Sequence, residues 1–62
     1  MPRITKAAAK AAGIDFTGPI VDIIDDLSDW LERIRPSWDS ETIWEKADEL
    51  GLRWVERAAD AG

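Results

Sequence analysis

The residues best placed for chemistry are carboxylates. The 62-residue chain carries 13 acids against 8 bases, for a formal charge of −5. Asp22, Asp25, Asp26 and Asp29 recur at spacings of three and four. On a helix such residues share one surface. Pairs at i,i+4 can grip a divalent cation weakly. The calcium-loop pattern of alternate Asp or Asn with a central Gly and a final Glu is missing, so no metal site is expected. Like charges at these spacings repel, and Asp is a mediocre helix former. An acidic surface written this way is expected to meet a basic partner.

Other chemistries are limited by the residue types present. Cys, His, Tyr, Asn and Gln do not occur. That removes the ordinary zinc ligands, the Cys–His nucleophile and the Ser–His–Asp triad. It also removes the amides that read adenine bidentately. Three Lys, three Ser and three Thr remain, but no recognisable motif pairs them. Two amphipathic helices leave little room for a pocket. The expectation is a non-enzymatic protein without cofactor or small-molecule substrate.

Aromatic residues are a second candidate surface. Four tryptophans, Trp30, Trp38, Trp44 and Trp54, are many for so short a chain. Core packing is their default use, but a core this small strains to enclose four indoles whose N–H groups want partners. At least one, Trp38 or Trp54, is expected at an interface. Trp38, Leu52, Trp54 and Val55 together are the expected apolar anchors for a partner.

Charge is segregated along the chain. Residues 1–14 carry Arg3, Lys6 and Lys10 and no acid. Residues 15–32 carry Asp15, Asp22, Asp25, Asp26, Asp29 and Glu32 and no base. The remainder is mixed. The first segment therefore reads as a basic arm or short helix, and residues 15–62 as an acidic helical hairpin. Three bases supply too few phosphate contacts to hold DNA strongly against a net negative chain. The arm is expected to dock as a helix on the acidic block.

Three helices must position these groups. Residues 3–12 have high helix propensity, with Gly13 and Ile14 in the places of a C′ glycine and its apolar follower. Thr17 is the expected N-cap of helix 2, with Pro19 in the first turn. Phe16 and Val21 then occupy the positions of a hydrophobic staple. Helix 2 is expected over about 18–35, stopped by Pro36. Its Ile20, Ile23, Ile24, Leu27, Trp30, Leu31 and Ile34 fall within an arc of about 120°, with the acids opposite. Asp39 is the expected N-cap of helix 3, with Trp38 and Ile43 as a second staple. The apolar phase continues unchanged across Gly51, which predicts one helix over about 39–60 rather than two. Its apolar arc widens in the second half, as though it touches two neighbours.

The fold class is all-α: a short N-terminal helix with an antiparallel hairpin, a three-helix mini-bundle. No uncharged apolar run approaches the length of a membrane span. The Ala stretch after Met1-Pro-Arg-Ile-Thr-Lys is broken by Lys10, so no signal peptide is expected. The expected location is cytoplasmic. Few Lys with abundant Ala, Arg, Asp and Trp suit a GC-rich bacterial genome or its phage. The expected function is a small acidic protein–protein interaction module. It would act as an inhibitor or antitoxin-like protein on a basic partner, or as a homo-oligomer. The alternative is a nucleic-acid-associated or structural subunit using Arg3, Lys6 and Lys10.

Overall fold

Thr5 and Gly13 set the limits of the first helix, α1 (Lys6–Ala11). In the computed structural model, which describes residues 3–56, the Thr5 hydroxyl accepts from the Ala8 N–H at 3.0 Å. At the far end Gly13 adopts φ +98°, a conformation glycine takes without steric penalty. The Gly13 N–H donates to the Lys10 carbonyl (2.9 Å) and the Ile14 N–H to the Ala9 carbonyl (3.2 Å). These are the paired bonds of a Schellman ending. A helix of 6 residues does not hold itself together in water. Ala9 is fully buried, and Ile4, Ala8 and Ile14 pack beside it on the core, so α1 is held by docking.

The second helix, α2 (Ile20–Ile34), begins later than the sequence suggests. Pro19, not Thr17, is its N-cap, and no side chain caps it. Thr17 is committed elsewhere: its N–H and hydroxyl both donate to the Asp15 carboxylate, at 2.9 and 2.6 Å. A charged acceptor two residues away outcompetes the helix end for this hydroxyl. The expected staple fails with the cap. Val21 is 68% exposed, whereas Phe16 is only 1% exposed. Phe16 packs edge-on against Trp54, with ring centroids 5.9 Å apart.

The third helix, α3 (Ser40–Trp54), is capped by Asp39 as expected, its carboxylate accepting from the Thr42 N–H at 2.9 Å. The helix runs through Gly51 without a break. Gly51 is there for close approach: a Cβ on it would lie 2.9 Å from Ile24 Cγ1. The helix ends at Trp54, short of the expected limit near 60; residues 57–60 lie outside the described ones. Val55 leaves the helix at ψ 136°, and the Glu56 N–H donates to the Phe16 carbonyl at 2.7 Å. A contact across the chain thus replaces the next helical bond.

Late α3 meets early α2, since Gly51 faces Ile20, Ile23 and Ile24. Early α3 meets late α2, since Ser40 and Ile43 share a cleft with Ser28 and Glu32. The two helices are therefore antiparallel, and their seam holds Ile23, Leu27, Leu31, Ile43, Ala47 and Leu50. The fold is all-α, and no strand occurs among the described residues.

Candidate protein-binding faces

Every aspartate of the expected acidic face is exposed on α2: Asp22, Asp25, Asp26 and Asp29. The apolar stripe on the other side of α2 is buried in the seam, which turns the carboxylates outward. Asp29 pairs with Arg33 one turn on, at 3.2 Å. No lysine among the described residues reaches Asp22, Asp25 or Asp26.

The basic arm goes elsewhere. Lys6 and Lys10 converge on one oxygen of Glu56, Oε2, at 2.7 and 2.8 Å. One turn of helix separates the two lysines, so both ammonium groups point the same way. Hydrogen bonds from Lys10 and then Lys6 pull the Glu56 carboxyl down from 4.5 to about 2. Hence α1 docks as a helix, but its lysines serve the segment after α3 rather than the aspartates of α2. Arg3 is exposed. Two other carboxyls lie below the ordinary Asp value, each through local hydrogen bonds: Asp15 from Thr17, and Asp39 from Thr42.

The hairpin has two unlike flanks. On α2, Trp30 and Ser28 point about 160° apart at 3.6 residues per turn. On the Trp30 side, Ala12, Gly13 and Ile14 come up against Asp26, Trp30 and Arg33. A smaller cleft remains between them, with Trp30 only 8% exposed at its base. On the Ser28 side a cleft opens between α2 and α3, walled by Asp25, Asp29 and Glu32 and by Ser40 and Trp44. Ser28 lines this cleft as the one buried polar residue among those described, its hydroxyl donating to the Asp25 carbonyl at 2.7 Å. Trp44 stands on the rim, 49% exposed.

The four expected apolar anchors do not share one patch. Trp38 is half-buried before α3, with the Arg35 guanidinium 6.0 Å over its ring. Trp54 is half-buried at the other end, against Phe16, and Val55 packs on the core beside it. Sixteen residues of nearly continuous helix separate the two indoles, a rise of about 24 Å. Leu52 is exposed at 61%. Trp44, not among the expected anchors, is the most open indole among the described residues. Its place at about 100° from Ile43, on the edge of the apolar arc, was the available signal.

Among the described residues no three carboxylates are grouped so as to hold a metal ion. Nor is any helix there long and apolar enough to cross a membrane. The structure thus defines a small helical hairpin with a short N-terminal helix docked on its core and an acidic outer face on α2. Comparison with protein-family models, with curated proteins and with solved structures finds no match for this chain.

Proposed function

We propose that this chain is a small, non-catalytic protein–protein interaction module that docks its acidic face on a basic partner in the cytoplasm. One observation carries the reading. The aspartates of α2 stay exposed although the chain has lysines of its own, because Lys6 and Lys10 are engaged by Glu56 and Lys46 by Glu49. Four like charges at helical spacing repel one another, and a cationic surface relieves that repulsion. An inhibitor or antitoxin-like neutraliser of a basic target is the form that suits this charge. Engagement of Lys6 and Lys10 by Glu56 also takes support from a phosphate-gripping role for the arm.

The test is affinity capture from nuclease-treated lysate of the source organism, at low salt. Wild type is run beside a variant with Asp22, Asp25, Asp26 and Asp29 all changed to Asn. A stoichiometric basic protein retained by wild type and released by the variant supports the module. Equal retention by both chains, or capture that vanishes with nuclease, defeats it.

A further inference from the structure

We propose that the open flank of the hairpin is the docking surface, and that its cleft takes an arginine-bearing segment of another protein, with the guanidinium on Trp44. This rests on the acidic-module reading and names where and what it binds.

Trp44 contributes a large apolar ring, half of it in water, beside the carboxylates of Asp25, Asp29 and Glu32. An indole face attracts a cation, and a planar guanidinium can stack on it while forking to a carboxylate. A lysine ammonium has no such fork. The chain shows a looser form of the cation–ring contact within itself, where the Arg35 guanidinium lies 6.0 Å over Trp38. The other flank also has a cleft with carboxylates, Asp26 and Asp29, but its indole, Trp30, is only 8% exposed and offers no open ring face.

Charge decides against a second copy as the occupant. A two-fold contact sets the same patch against itself. Here it would bring Asp25, Asp29 and Glu32 against their own images, on a chain of net charge −5. The lysines of the chain's own arm could reach the cleft of another copy only by giving up both ion pairs to Glu56, which leaves Arg3 as that arm's single uncommitted cation among the described residues. The occupant that gains by entering is a cationic segment from a different protein.

Acetylated hexa-arginine and hexa-lysine amides are the probes, titrated into 15N-labelled full chain at low salt. Hexa-arginine should shift the Trp44 indole N–H and the amides of Ser28, Glu32 and Ser40 most, and should bind more tightly than hexa-lysine. Trp44→Ala should weaken hexa-arginine about five-fold, the scale of one cation–aromatic contact. Asp22→Asn, outside the cleft, should change it less than about two-fold. Trp44 is exposed, so the variant should keep its circular dichroism. Wild-type affinity in Trp44→Ala, with shifts spread evenly along α2, overturns the cleft assignment and leaves the acidic module standing. Undiminished binding to the chain with all four aspartates changed to Asn overturns the module as well. Sedimentation equilibrium should find a monomer; a dimer dispersed by Trp44→Ala would make the occupant a second copy and overturn the proposal.

Discussion

Trp30 and Trp44 sit on opposite flanks of the same helical hairpin, and they have opposite fates. Trp30 is 8% exposed and Trp44 is 49% exposed. Both lie on or beside an apolar stripe, and both come from sequence surroundings rich in acids. The difference is made by a segment remote from Trp44: Ala12, Gly13 and Ile14, the turn that follows α1, lie beside Trp30, and no residue of that turn lines the Trp44 cleft. The turn after α1 thus makes the two flanks of the hairpin unlike, one with a buried indole and one with an open indole.

The sharpest way to break that comparison is to remove each indole in turn. Trp30→Ala should cost about 3 kcal/mol, since Trp30 is only 8% exposed and its truncation leaves a cavity beside Ile14. A chain of this length has a total stability of only about 3 to 9 kcal/mol. Trp44→Ala should cost about 1 kcal/mol or less, because much of the ring is already in water. Urea titrations followed by far-UV circular dichroism compare the two. Equal losses would mean that the flanks are not distinct.

A smaller effect is expected at the seam both flanks share. Gly51→Ala gains about 1 kcal/mol of helix propensity. Against that, its Cβ would fall 2.9 Å from Ile24 Cγ1, mid-chain on a residue packed against the core. Overpacking of this kind costs about 1 to 3 kcal/mol. The net expectation is a loss of about 1 kcal/mol, read as a lower urea midpoint. A gain would show that α2 and α3 have room to separate.

The smallest effect concerns what holds α1 in place. Glu56 has its carboxyl lowered from 4.5 to about 2 when folded. Its contribution is therefore fully present above 4.5 and is lost as pH falls toward about 2. Glu56→Gln should abolish that part of the acid dependence of the thermal midpoint. Asp15 and Asp39 are lowered as well, so a residual slope in the same direction should persist. Hydrogen exchange should quicken in α1 and not in the α2–α3 seam. Uniform quickening would mean that α1 and the hairpin open as one unit.

Much of the architecture was legible before the chain was folded. Gly13 announced its own turn, because a left-handed ending after an Ala-rich helix is a local event. Asp39 announced its cap for the same reason. The unbroken phase across Gly51 showed a single helix, and the close approach of Ile24 explains why glycine is there. Thr17 misled because two local partners competed for one hydroxyl, and the Asp15 carboxylate won. The acidic face was also legible, since helical spacing alone places Asp22, Asp25, Asp26 and Asp29 together. The Trp44 rim was legible only in part: its phase at the edge of the apolar arc allowed exposure, but the absence of any packed neighbour over it among the described residues was decided by the fold.

The sequence by itself determined three helices, their apolar stripes and the outward turn of the aspartates, because each depends on residues within a few positions of one another. Tertiary structure alone decided where α3 stops, what Phe16 touches, where the lysines of α1 go and which tryptophan stays open. Those outcomes rest on Phe16 meeting Trp54 and Glu56, and on Lys6 and Lys10 meeting Glu56. Such pairs lie 38 to 50 positions apart, and no local pattern encodes a contact that exists only once the chain has closed on itself.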